Sequence, residues 1–172
     1  MKRILIYGYG NPGRQDDALG ILLAEKLETW ATENGRDSID FDSNYQLNIE
    51  DALTISEYDT VIFADASIED IPDFIVTEVR PSQKTEFTMH AMTPAFILHL
   101  CQSLYGKFPK TFLIHLKGYE FNFLERLTSR ANQNLHAAFD FLIGRISVSG
   151  KTASLLEKCI IDQKENTKIS LS

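Results

Sequence analysis

The opening of the chain constrains the fold most, because a short apolar run ends in glycines and an amphipathic stretch follows it. Ile4 to Tyr7 form an unbroken apolar run, which is typical of a buried parallel strand. From Asp16, apolar residues recur at helical spacing until Asn34-Gly35, which predicts a helix with one core-facing stripe and a stop signal. A buried strand that leads directly into a helix is the beginning of a β-α-β unit, so this segment favours an α/β fold.

The same alternation of strands and helices continues along the chain. Further strands are predicted at Ser38 to Phe41, Thr60 to Ala64, Phe74 to Val79 and Thr111 to Leu116, and further helices at 49–55, 93–105 and 131–146. Charged residues flank and enter the fourth strand, so we expect it at an edge of the sheet. The pattern predicts one three-layer α/β domain over residues 1–150, with a twisted, mostly parallel sheet and helices on both faces. In the C-terminal tail, residues 151–172, we expect a small apolar cluster to dock as a short helix and the polar end to fray.

Composition excludes several classes of function. The 172 residues suit a single domain, and 17 basic against 24 acidic residues give a net charge of -7 without any basic run, so nucleic acid is a poor partner. The two cysteines form no CxxC pair, which is typical of a reduced compartment. No apolar stretch matches a signal peptide or a membrane span. We therefore expect a cytoplasmic monomer that contacts neither nucleic acid nor membrane.

The segment after the first strand offers a first hypothesis about ligands. Gly8 to Gly13 match G-x-G-x-x-G, the dinucleotide fingerprint. A phosphate at the following helix would meet Asp16 and Asp17, and at about 4 Å and an effective dielectric of about 20 each encounter costs on the order of 4 kcal/mol. A nucleotide-binding domain therefore stays as an alternative that the acid pair disfavours.

The same segment suits a cation. The helix dipole stabilises Asp17 as an anion, and Asp65 follows the third strand at the sheet edge where the first strand ends. His90, in the loop before a helix, would complete a set of two carboxylates and one imidazole with open positions for substrate. This set does not select nickel over zinc. The competing interpretation is structural: Asp16 caps the helix, Asp17 complements its dipole, Asp65 caps a turn and His90 lies on the surface.

Several motifs together resemble those of the hydrogenase maturation endopeptidases, over about residues 3–145. The resemblance rests on Gly8-Tyr9-Gly10-Asn11, Asp16-Asp17-Ala18-Leu19-Gly20, Val61 to Ala66, His90 with the helix after it, Gly118-Tyr119-Glu120-Phe121 and Ser129 to Phe139. Two segments depart from the family pattern. Asn44-Tyr45-Gln46 stand where the family usually has Gly-Gly-Thr, and Ala18 replaces a frequent glycine.

The resemblance implies a cytoplasmic protease that removes the C-terminal extension of a nickel-iron hydrogenase large-subunit precursor after nickel insertion. It implies that Asp17, Asp65 and His90 are the catalytic and metal-contacting residues and that the nickel belongs to the substrate, with zinc or cadmium able to replace it in vitro. Asn11, Arg14 and Asp16 would contact the substrate. It also implies an α/β sheet with helices on both faces. A chaperone that grips the hydrogenase subunit without cutting it stays as a third hypothesis.

Overall fold

The computed structural model describes residues 3–83, 92–147 and 150–170, with side chains up to residue 162. Within these ranges the strands form one five-stranded sheet in the order β2-β1-β3-β5-β4. The strands are β1 (Ile4–Tyr9), β2 (Ile39–Asn44), β3 (Thr60–Ser67), β4 (Phe74–Glu78) and β5 (Lys110–Lys117). All neighbouring pairs are parallel except β4, which runs antiparallel to β5 at the edge. The mostly parallel sheet and the edge position of β4 confirm the sequence prediction.

Helices cover both faces of this sheet, as predicted. They are α1 (Leu19–Glu33), α2 (Asp51–Ile55), α3 (Pro94–Tyr105), α4 (Ser129–Ile146) and α5 (Thr152–Ser170). One core lies between the sheet and the α1, α4 and α5 side, and it includes Ile6, Leu23 and Leu142. The other lies between the sheet and α2 and α3, and it includes Phe63 and Ile97. Successive side chains of the central strands β1 and β3 therefore alternate between two cores, which is why these two strands are largely apolar, whereas β2 at the edge ends in exposed polar residues.

Close backbone packing fixes the start of α1 on the sheet. A Cβ atom on Gly8 would lie 2.2 Å from the carbonyl oxygen of Gly20, and one on Gly20 would lie 2.3 Å from the carbonyl oxygen of Ala64. Gly10 has a positive φ of 138°, and its Cβ would lie 2.1 Å from the carbonyl oxygen of Asp17. The glycines of the opening motif thus serve helix-on-sheet contact.

The C-terminal segment is more ordered than expected. The predicted short helix and frayed end are instead one long helix, α5, which reaches Ser170. Leu156 of α5 is fully buried in the core on the α1 side, and Lys110 of β5 forms ion pairs with Glu157 and Glu78. The tail therefore packs on the α/β body. Within the described ranges, no helix is long and apolar enough to cross a membrane.

Candidate functional site

The carboxyl edge of the parallel strands brings together most of the predicted site residues. Asp65 lies in β3, which continues to Ser67, so the strand extends two residues past Asp65, where it was predicted to end. Tyr9 ends β1, and its side chain shares a sheet face with Asp65. Asp17 lies in a single 3-10 turn, Gln15–Ala18, between β1 and α1. The 3-10 turn packs against β3, and the negative charge of Asp17 raises the pKa of Asp65, so the two acids lie near each other; we call the region that holds them the crevice.

The environment of Asp65 favours the neutral acid. Burial raises its pKa from 3.8 to about 7, a hydrogen bond from the Tyr9 hydroxyl partly offsets this, and the negative charge of Asp17 adds to the rise. The same burial and the Asp65 carboxyl raise the pKa of Tyr9 well above its usual value, so its hydroxyl stays a donor. A carboxyl group whose pKa lies near neutrality exchanges a proton readily, and an arriving cation would displace that proton.

The loop between β1 and the 3-10 turn is closed by its own hydrogen bonds. The Asn11 amide donates to Asp17 Oδ2 at 3.0 Å, and the Gly13 amide donates to Asn11 Oδ1 at 2.8 Å. The Arg14 amide donates to the carbonyl oxygen of Asn11 at 3.0 Å. Backbone amides of this kind are what a bound phosphate requires, and here they already have partners. The geometry therefore disfavours the nucleotide alternative and fixes the Asp17 carboxylate instead.

Asp16 faces away from the crevice. It is fully buried, and its carboxylate accepts hydrogen bonds from the amides of Tyr119, Glu120 and Thr128 and from the Thr128 hydroxyl, at 2.8 to 3.1 Å. It makes no side-chain cap on the 3-10 turn. All of these donors belong to residues 119–128, which we call the 119–128 loop. Asp16 thus anchors that loop and the start of α4, and we do not retain it as a substrate contact.

Three further residues of this region were not among the predicted site residues. Tyr9 escaped notice because a tyrosine at a strand end is ordinary, although its two-residue spacing from buried Tyr7 places both on one face. Gln15 has a positive φ of 47°; its side chain donates to Glu120 Oε2 and accepts from the Asn122 amide. His115 of β5 pairs in register with Asp65, and its Nε2 lies 2.9 Å from the Thr77 hydroxyl.

The predicted imidazole ligand is not among these residues. His90 lies outside the described residues, so its position relative to Asp17 and Asp65 stays a prediction. Among the residues that the structure describes, no group of three or more His, Cys, Asp or Glu side chains is arranged to hold a metal ion. The described part of the site is a pair of acids, and it needs at least one further ligand to bind a cation.

Comparison with known proteins shows the fold. No protein-family model matches the sequence, and no curated protein matches it significantly. Solved structures do match over most of the chain. The [NiFe] hydrogenase maturation protease HycI from Thermococcus kodakarensis KOD1 aligns with a TM-score of 0.70 at 19% identity, over 86% of this chain and 94% of that one.

Two further structures give the same result. The hydrogenase maturating endopeptidase HybD from E. coli aligns with a TM-score of 0.64 at 20% identity, over 86% of this chain and 94% of that one. A hydrogenase 2 maturation peptidase from a Thaumarchaeota archaeon aligns with a TM-score of 0.62 at 22% identity, over 85% and 99% of the two chains. The chain therefore has the α/β fold found in hydrogenase maturation proteases.

Proposed function

We propose that this protein is a cytoplasmic endopeptidase that removes the C-terminal extension of a nickel-iron hydrogenase large-subunit precursor. The single observation that supports it most is the acid pair: Asp17 and Asp65 share the carboxyl edge of a fold found in proteins of that activity. The edge where parallel strands end is the usual ligand site of open α/β sheets. The motifs around both acids resemble those of the same family, so fold, position and sequence agree.

In this proposal the nickel is part of the substrate, and the protein recognises it through Asp17, Asp65 and His90. The Asn11 amide donates to Asp17 Oδ2 at 3.0 Å and so holds the Asp17 carboxylate in position. Asp65 waits as a carboxyl group with a pKa of about 7, and it releases its proton as the cation arrives. A neutral acid in the empty site lowers the repulsion between the two carboxyl groups. The site thus responds to a precursor that carries a cation more strongly than to one that does not.

In this proposal the scissile peptide would lie beside the substrate's nickel, which would act as a Lewis acid. The bound nickel would either polarise the scissile carbonyl or activate a water, and both routes use the same protein ligands. The Tyr9 hydroxyl donates a hydrogen bond to Asp65 and so fixes the orientation of that carboxyl group. Asn11 and Arg14 line the approach to Asp17 and are proposed to contact the substrate chain.

The test is cleavage of purified, nickel-loaded precursor, followed by mass spectrometry of the released peptide. We expect the wild type to cleave it, and we expect Asp17→Asn, Asp65→Asn and His90→Ala each to abolish cleavage while circular dichroism stays unchanged. Asp37→Asn and His136→Ala serve as matched controls, because both residues are exposed, Asp37 at the amino edge of the sheet before β2 and His136 on α4. Metal-free precursor should remain uncut.

Each alternative predicts a different result. Normal cleavage by His90→Ala would overturn the three-ligand set. A wild type that binds nickel-loaded precursor and leaves its mass unchanged would favour the chaperone hypothesis. Thermal stabilisation by NAD would favour a nucleotide-binding domain, since a ligand at about 100 times its dissociation constant adds about 2.7 kcal/mol.

A further inference from the structure

The 119–128 loop presents two large apolar side chains to solvent. Phe123 is 73% exposed and Leu124 is 93% exposed. Single exposed apolar residues are common, but two adjacent ones this accessible make a protruding tip. Arg14 lies over the Phe123 ring, with its guanidinium carbon 5.5 Å from the ring centre. We call Phe123 and Leu124 the tip and the Arg14 guanidinium its cationic rim. The tip is apolar, whereas the nearby crevice is acidic.

This tip is held firmly against the site. The Leu124 amide donates to the carbonyl oxygen of Gly13 at 2.9 Å. Gly13 in turn bonds to Asn11, whose amide donates to the Asp17 carboxylate. A chain of three hydrogen bonds thus joins the Leu124 backbone to Asp17. The Asp16 carboxylate secures both ends of the same loop, at residues 119–120 and at residue 128.

The backbone at the tip is also strained. Leu124 has a positive φ of 60°, a conformation that costs a residue with a Cβ about 1 kcal/mol or more. Glycine would relieve that strain, yet the position carries a large apolar side chain that is exposed and does not pack into the core. A partner that buries apolar groups on a backbone already held in place loses less conformational entropy than one that must first order a loop, so these two side chains are suited to binding.

We infer that Phe123 and Leu124 determine substrate specificity by docking an apolar segment of the precursor next to the cleaved bond. The 11–14 loop contacts both regions, since Gly13 accepts from the Leu124 amide and the Asn11 amide donates to Asp17, so a polypeptide bound at Asp17 lies close to the tip. The cationic rim at Arg14 complements a carboxylate, so the docked segment pairs an apolar side chain with an acidic neighbour or chain end. This inference rests on the proposed function and adds the surface that selects the protein substrate.

The experiment compares cleavage kinetics of nickel-loaded precursor by the wild type and by a Phe123→Ser/Leu124→Gly variant. Glycine accepts the φ of Leu124, so the second change removes the side chain without forcing the backbone to move. We expect KM to rise about tenfold or more while kcat stays within about twofold, which is the signature of lost binding in both ground and transition states. Arg14→Gln alone should raise KM about threefold and weaken its dependence on salt.

A matched control carries the same kind of change elsewhere. Leu104 and Phe108 are 60% and 73% exposed and lie at the amino edge of β5, away from the crevice, so Leu104→Ser/Phe108→Ser should leave KM unchanged. If the wild type cleaves and the tip variant keeps the wild-type KM, the inference is wrong and the proposed function stands. If the tip and control variants raise KM equally, the tip has no special role. If the wild type does not cleave, the proposed function fails and this inference fails with it.

Discussion

Replacement of Asp16 by alanine is expected to destabilise the protein strongly, although the residue lies outside the crevice. The change removes the acceptor of three backbone amides that face the buried Asp16 carboxylate, those of Tyr119, Glu120 and Thr128, while the Thr128 hydroxyl rotates to another partner. Each unsatisfied buried donor costs about 1–3 kcal/mol, and water that enters the vacated space recovers part of this. We therefore expect a loss of about 3–5 kcal/mol in the free energy of unfolding.

The Asp16→Asn variant removes the negative charge of this side chain and keeps its size. The amide oxygen of asparagine can keep the place of Oδ2, which accepts from Tyr119, Glu120 and the Thr128 hydroxyl. Its amino group then faces the Thr128 amide, which donates to Oδ1 in the wild type at 2.8 Å. One hydrogen bond becomes a contact between two donors, so we expect an intermediate loss of about 2 kcal/mol.

Urea unfolding measures both losses. With a slope of about 2 kcal/mol per molar, a loss of about 4 kcal/mol moves the midpoint down by about 2 M. Exposed Asp70 provides the control, and Asp70→Ala should stay within about 0.5 kcal/mol of the wild type. Hydrogen exchange at the Thr128 amide should accelerate in both Asp16 variants. A loss below about 1 kcal/mol for Asp16→Ala would refute the view that this carboxylate anchors the 119–128 loop.

Three further changes test the rest of the fold and the acid pair. Because the pKa of Asp65 rises from 3.8 to about 7 on folding, the stability of the protein should fall as pH increases through that interval and level off above it. Full burial would give a loss of about 4 kcal/mol, and residual solvent access halves it. Asp65→Asn should therefore be more stable than the wild type at pH 8 by about 2 kcal/mol in urea titrations, and equal stability would contradict this. Gly20→Ala should destabilise the protein by about 3 kcal/mol or more or prevent folding, since its Cβ would lie 2.3 Å from the carbonyl oxygen of Ala64. Gly144→Ala, which has open space around it in α4, should instead stabilise the protein by about 0.5–1 kcal/mol. Thermal melts measure both changes. Leu156→Ala should lower stability by about 2–5 kcal/mol, measured by calorimetry, and a loss below about 1 kcal/mol would show that α5 does not contribute to the core.

The sequence predicted the architecture because its signals are local. Apolar runs indicated the strands β1, β3 and β5. The helix predicted from residue 93 begins where Thr93 precedes Pro94, and the Thr93 hydroxyl accepts from the Phe96 amide. The edge position of β4 followed from its charges. The length of α5 did not, because its polar second half has no periodic apolar stripe that distinguishes a long helix from a frayed end.

The site was harder to predict because its contacts are distant in the sequence. The position of Asp17 and Asp65 at one sheet edge follows from β-α-β topology alone, and the structure brings them together. The role of Asp16 does not, because its partners lie 103 to 112 residues further along the chain. Nothing in the segment around Asp16 distinguishes a carboxylate that caps a helix from one that binds a remote loop.

The order of the strands has a consequence for biosynthesis. Strand β4 is made before β5, yet β5 is its only neighbour in the sheet of the described residues, so β4 has no place to pair until β5 lies beside β3. The 119–128 loop leaves the ribosome directly after β5 and closes the longest contacts of the site. Contacts between residues distant in the sequence form late, because they must first offset the entropy cost of loop closure. The 119–128 loop therefore takes its place beside the acid crevice only near the end of folding. A partly synthesised chain therefore holds both acids without the 119–128 loop, which carries the surface proposed to select a substrate.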